Sequence, residues 1–400
     1  MHRQGRWPLA LATAIGMVGA AHAQSQPPIK IGVMNDMSSV YAVDGGMETV
    51  VAVQMAVDDA GPVLGQKAQV VSADHQNKPD VGSGIARRWF EVDGVDAIVD
   101  VPNSGVGFAV QSVAKERKKL SLFVGALSSD ITGSKCDAYT TQWSVDTFSL
   151  SNVIGSAVMK RGGKRWFFLG ADYVFGRGLV KETSAVVEAG GGQVTGAVFA
   201  PLNTADFSSY LLQAQGAKAD VIALANSVND TANAMRQANE FGLTANGARF
   251  AAYVLFISNV QAMGLKTAQG LLLVNPFYWN MNDETRAWSK RFEEKVGHPP
   301  DWDPAMSYSA VAHYLKAVKA AGTRDPDAVA AKMRELPIDD FTTKGGSIRV
   351  DGRVMRPLYL LEVKKPEEAK SKWDLYSVVA TIPAEQAYRP LKDGGCPLVK

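Results

Sequence analysis

Several things are scarce in this chain of 400 residues, and each scarcity removes a class of function. There are two cysteines and five histidines. His2 and His22 lie in the N-terminal leader pattern. His75, His298 and His313 have no ligand-like spacing to Cys136 or Cys396, so a metal site is poorly supported. No Walker sequence is present. The stretch Gly82-Ser83-Gly84-Ile85-Ala86-Arg87 holds two glycines of a dinucleotide fingerprint, but Arg87 fills the third place. It follows Lys78-Pro79-Asp80 instead of a strand, so a helix start capped by Asp80 explains it. Asn103-Ser104-Gly105 is no nucleophile elbow, because Pro102 stands where the first glycine is required. No histidine sits where a Ser-His-Asp triad would need it, and no spacing singles out a catalytic carboxylate pair. Catalysis and a bound cofactor are therefore not expected.

An excess of charge is also missing. Lys+Arg number 42 against 40 Asp+Glu, and removal of Arg3 and Arg6 with a leader balances the two. Nothing favours nucleic acid or an anionic membrane. The basic run Lys115-Glu116-Arg117-Lys118-Lys119 closes a helical pattern, where cations suit the negative end of the dipole. No apolar run is long enough to span a bilayer. Leu9–Ala20 is only about a dozen residues long, follows His2, Arg3 and Arg6, and precedes Ala21-His22-Ala23. These features predict a secretory signal peptide over 1–23, cleaved after Ala23, and a periplasmic product. No cysteine follows the site to carry a lipid. In an exported chain two thiols favour one disulfide, Cys136 to Cys396; two free thiols are the alternative.

What the chain does have is alternation. Strand-like stretches at 29–34, 67–73, 96–101, 120–124, 165–170, 193–199, 220–225, 249–256 and 270–275 are separated by helical patterns. Val50, Val53, Ala56 and Val57, for example, share one helical face. Repeated β-α-β units predict parallel sheets with helices on both faces. The pattern restarts near residue 148, so two doubly wound, Rossmann-like α/β lobes are expected, with a cleft between them. Three helical stretches (282–296, 303–321, 325–336) then precede strands at 347–350, 356–363 and 374–381. The expected division is 29–146 plus 278–340 for the N-terminal lobe and 147–277 plus 341–382 for the C-terminal lobe. A tail, 383–400, returns to the first.

Ligands bind at the carboxyl ends of strands in open α/β sheets. In the first lobe those ends are Asn35–Tyr41, Pro102–Gly105 and Gly125–Ser129. In the second they are Ala171–Phe175, Asn226–Asn229 and Phe256–Asn259. Hydroxyls, amides and helix N-termini face aromatic rings. Taken singly, each serine is better read as a helix cap; taken as a set, they point to a binding cleft. The candidate contacts are Tyr41, Asn103, Ser104, Ala126, Leu127 and Ser128 on one side. Tyr173, Phe175, Asn226 and Phe256 stand on the other.

The ordered pieces IGVMNDMSSVYAVDG, VPNS, GALSSDITG, ADYVFG, NTADFSSYL and VATIPAEQAYRPL run through the mature chain. Together they resemble the periplasmic solute-binding proteins of branched-chain amino acid (leucine/isoleucine/valine) ABC transporters, in the subgroup associated with aromatic acids. The resemblance implies two lobes, a three-crossover hinge, a ligand that closes the lobes and a membrane permease as partner. A monomer is expected. The resemblance also implies that Ser104, Ala126 and Ser128 hold a ligand carboxylate and its polar neighbour. Tyr41 and Phe175 would be aromatic walls, with Asn226 a further contact. One departure is visible. Relatives that bind amino acids carry a carboxylate in the loop that here reads Phe256-Ile257-Ser258-Asn259. A buried ammonium without such a partner is costly, which favours an acid lacking one, with Phe256 stacking on a ring. Asp172 or Asp230 is an alternative partner. An exported α/β hydrolase or amidase and the sensor part of a receptor are the other readings.

Overall fold

The computed structural model describes residues 1–2, 27–43, 45–244 and 247–400. The leader expected over 1–23 lies outside them apart from its first two residues. Five strands form the first sheet: β1 (Lys30–Asn35), β2 (Gln69–Asp74), β3 (Ala97–Asp100), β4 (Leu120–Phe123) and β5 (Thr140–Gln142). All pair in parallel, in the order β2-β1-β3-β4-β5. The fifth strand falls within 140–142, a stretch that lacked a strand assignment in the sequence because it is only three residues long and polar. The second sheet holds β6 (Arg165–Ala171), β7 (Gln193–Ala200), β8 (Val221–Ser227) and β9 (Arg249–Val254) in the order β9-β8-β6-β7, again parallel. Both sheets therefore reverse direction of winding beside their first strand. A crevice opens at such a switch point, between β1 and β3 in one lobe and between β6 and β8 in the other.

Helices cover both faces, as buried strands with few polar side chains require. They include α1 (Gly46–Ala60), α2 (Pro79–Arg88), α3 (Ser104–Arg117), α4 (Thr147–Lys160), α5 (Val174–Ala189), α6 (Ser208–Gly216), α7 (Val228–Glu240) and α8 (Ile257–Met263). The late helices α9 (Asp283–Val296), α10 (Trp302–Ala321) and α11 (Pro326–Glu335) return to the first sheet. There the Tyr308 hydroxyl and the Arg291 guanidinium both donate to Asp59 at the end of α1. Asp80 is not the cap of α2. That helix starts at Pro79, whose missing N–H suits the first turn, and Asp80 lies within the turn beside the positive end of the dipole.

A third sheet of β10 (Leu272–Asn275), β11 (Leu358–Val363) and β12 (Tyr376–Ile382) is antiparallel. The fold is a type I periplasmic binding fold: two doubly wound lobes joined where the chain crosses three times. Arg353, fully buried, fastens the crossings. Its guanidinium donates to the Gln142 side chain (3.1 Å), to Asp146 (3.3 Å) and to the carbonyls of Gln142 and Ser144. Cys136 and Cys396 are joined in a disulfide with their Cα atoms 5.5 Å apart. Arg389 of the same tail donates to the Ser129 carbonyl at 2.8 Å.

Candidate ligand-binding cleft

The first wall is set by backbone that most side chains avoid. Asp100, Val101 and Asn103 all have positive φ, at 80°, 63° and 80°. Each such residue costs on the order of 1 kcal/mol, and strain of this kind persists only where its surroundings hold it. Here they do. Asn35, at the end of β1, donates through Nδ2 to one Asp100 oxygen, and the Gly125 N–H donates to the other at 3.0 Å. Gly125 must be glycine, because a Cβ there would lie 2.8 Å from Pro102 Cα and 2.9 Å from Asp100 Oδ1. Asn103 caps α3 by accepting from the Gly105 and Val106 N–H groups. Ser104 Oγ accepts the Ser128 N–H at 3.0 Å, which ties the ends of β3 and β4 together.

The opening loop over 36–41 is folded around one carboxylate. Asp36 accepts the N–H groups of Ser39 (2.9 Å) and Tyr41 (3.0 Å) and the Ser39 hydroxyl. This side-chain-to-backbone turn fixes Tyr41 on the cleft.

The second wall is aromatic. Tyr173 and Phe175 follow β6 with ring centroids 5.9 Å apart, and Phe256 follows β9. The walls meet in three places. The Tyr41 and Tyr173 hydroxyls are 2.6 Å apart. Ser129 donates to Glu182 of α5. Phe256 stacks on Trp302 of α10, with centroids 5.2 Å apart and planes 18° apart, while the Ile257 N–H donates to Asp301 beside it. Burial raises Glu182 above the usual carboxylate range and pushes Asp301 up to about 7. Between the walls lies a cavity of about 30 Å³, partly open to solvent.

Tyr41, Asn103, Ser104, Leu127 and, opposite, Tyr173, Phe175 and Phe256 all line this space. Three expected contacts do not. Ala126 is in the core under the wall, its carbonyl accepting from Gln142. Ser128 uses its hydroxyl to cap the turn at 129–131. Asn226 is buried with its oxygen on Thr231 and its Nδ2 without a partner. The expected loops at Asn226–Asn229 and Phe256–Asn259 are also corrected. β8 runs directly into α7 through Val228 at φ 57°, and α8 begins at Ile257. Neither alternative partner for an ammonium lines the cleft: Asp172 is paired with Arg177, and Asp230 accepts the Asn203 N–H.

Sequence reasoning missed the contribution of α10. Trp302 and Asp303 both line the cleft. The segment Asp301-Trp302-Asp303-Pro304 reads as a helix start, and nothing local says that the start lies opposite Phe256. Asp303 is buried, accepts the Thr49 hydroxyl at 3.1 Å and shares a hydrogen bond with Asp100. Burial, reinforced by the neighbouring carboxyl, holds Asp303 well above the carboxylate range, and burial raises Asp100 as well.

A cleft at two facing switch points, walled by both lobes, suits capture of a small solute. The sequence profile described as periplasmic binding protein matches residues 28–370. The chain belongs to the periplasmic binding protein family. A periplasmic binding protein of Burkholderia mallei is 46% identical, with a TM-score of 0.91 over 93% of this chain and 99% of that one. A branched chain amino acid ABC transporter periplasmic ligand-binding protein of Burkholderia xenovorans is 41% identical, with a TM-score of 0.83 over 93% and 100%. The Leu/Ile/Val-binding protein homolog 4 of Brucella abortus is 25% identical, across 95% of both chains. Periplasmic binding proteins of this family serve ABC transporters, working with their permeases, and are not enzymes. Among the described residues no helix is long and apolar enough to cross a membrane.

Proposed function

We propose that this periplasmic binding protein captures a small organic acid with a flat apolar body, an aromatic carboxylate, and delivers it to a membrane permease. The single observation that supports this most is the make-up of the cleft. Rings of Tyr41, Tyr173, Phe175, Phe256 and Trp302 stand on both walls, and among the described residues no Lys, Arg or His lines it. Rings grip a flat body through area and edge or face contacts. The carboxylate would lie against the Ser104 hydroxyl, at the N-terminal, positive end of the α3 dipole.

Calorimetric titration with 4-hydroxybenzoate and with leucine tests the reading. A response to the aromatic acid is expected. Tight leucine binding without a response to any aromatic acid would overturn it. An amino acid is the second reading, favoured by Asp303 and by the name of the Burkholderia xenovorans relative.

The leader is cleaved after Ala23, and the mature protein works in the periplasm as a monomer without nucleic acid. Its lobes are 29–146 plus 278–340 and 147–277 plus 341–382, with the tail 383–400 on the first. Ligand favours the closed arrangement through contacts made only there, and the closed form docks on the permease.

A further inference from the structure

We infer that Asp303, backed by Asp100, is the specificity-determining residue that accepts a hydrogen bond from a donor group on the ligand. The inference rests on the proposed capture of a small organic acid in this cleft.

The geometry carries it as follows. Asp303 is 3% exposed and Asp100 is fully buried. The Asp100 oxygens are taken by Asn35 and by Gly125. Asp303 has Thr49 on Oδ1 and Asp100 as its neighbour, yet it alone of the pair borders the cavity. Two touching carboxyls in a water-poor site cannot both ionise, so the pair holds a proton. The groups facing the pair are few. Asp301 caps the same helix, with Glu48 of α1 and His298 beyond it. Among the described residues no basic side chain lines the cavity to neutralise the charge that remains on the pair. A ligand that brings an O–H or N–H there adds a hydrogen bond to Asp303 at the cavity. A ligand that brings only C–H forgoes that bond while still displacing water from a polar site, which such a site rejects.

Two donor sources share this chemistry, a phenolic hydroxyl and an ammonium. They differ in protons. A hydroxyl leaves the shared proton in place, whereas an ammonium stabilises the ionised pair and expels it.

The test pairs each donor-bearing acid with its donor-free analogue: 4-hydroxybenzoate with benzoate, and leucine with 4-methylpentanoate. Affinities are measured by calorimetry in two buffers of different ionisation enthalpy. The wild-type protein is expected to prefer the donor-bearing member of the pair it binds by at least about tenfold. Asp303→Ala should reduce that preference to less than about threefold while changing the donor-free affinity little. Proton release on binding would mark the ammonium, and its absence the hydroxyl. Equal wild-type affinities within a pair would overturn the inference without any variant. Equal weakening of both members in Asp303→Ala would overturn it as well, with Asp303→Asn and a thermal unfolding curve reporting on the fold. If neither member of either pair binds, the proposed ligand class fails and the inference with it, an outcome distinct from binding without discrimination.

Discussion

The two walls of the cleft are built by opposite means. The first is a network: Asn35, Asp100, Asn103 and Ser104 are held by hydrogen bonds across strand ends, over backbone in left-handed conformations. The second is a set of rings at the starts of helices. Tyr173 and Phe256 occupy the cap positions of α5 and α8. Tyr173 offers no side-chain cap, and at Phe256 it is Asn259 that closes the turn by accepting the Phe256 N–H. A network loses function when one bond is cut, because the remaining partners are buried without compensation. A ring wall loses in proportion to area removed. The first wall is thus sensitive to single bonds, and the second to the area of its rings.

Substitutions can break that contrast. Phe256→Ala removes a ring stacked on Trp302 and should cost about 3 kcal/mol of stability, read as a lower urea midpoint. Phe256→Leu should restore most of it, because area is what counts on this wall. Asn35→Ala should cost about 2 kcal/mol by leaving the Asp100 carboxyl short of a donor. No apolar replacement of similar size should rescue it. If Asn35→Leu proves as stable as wild type, the first wall is not a network. Ser104→Ala should lose about 1 kcal/mol of ligand binding, measured by calorimetry, since both the hydroxyl and the acceptor for Ser128 go. Tyr173→Phe removes the hydroxyl pair that bridges the walls and should shift the unliganded protein toward an open form. The expected cost is about 0.5–1 kcal/mol, and small-angle scattering would show a larger radius of gyration.

The smallest effect concerns pH. His298 lies 3.0 Å from Glu48, which accepts from it and raises its pKa above 6.5. A raised histidine contributes stability that is fully present below about 6.5 and lost as pH rises through the higher folded value. The group is half-buried, so solvent screening limits the effect to about 0.5 kcal/mol. The melting temperature of wild type relative to His298→Gln should therefore fall slightly between pH 6 and 9. A rising difference would contradict the assignment.

Much of this was legible beforehand where the signal is local. Strand-like apolar stretches mark β1, β3 and β6, and 3.6-residue spacing marks α1. The order of strands and helices implied two parallel sheets, and strand ends then named Tyr41, Ser104, Tyr173, Phe175 and Phe256 as cleft residues. Local pattern does not say that the side chains of Ala126, Ser128 and Asn226 stand off the cavity. These residues also follow strands, but register turns their side chains into the core, a cap and a buried bond. Nor does local pattern say that α8 starts at Ile257, inside the stretch that reads as a strand-end loop.

The sequence by itself determined the fold class, the two lobes and the chemical contrast between their walls, because periodicity and turn residues act over a few positions. Only the tertiary structure decided what closes the cleft. The distance in sequence from Asp100 to Asp303, or from Phe256 to Trp302, leaves no local trace. These pairs meet because α10 returns across the hinge to pack on α1, and a contact made by such a return is fixed by packing of the whole chain.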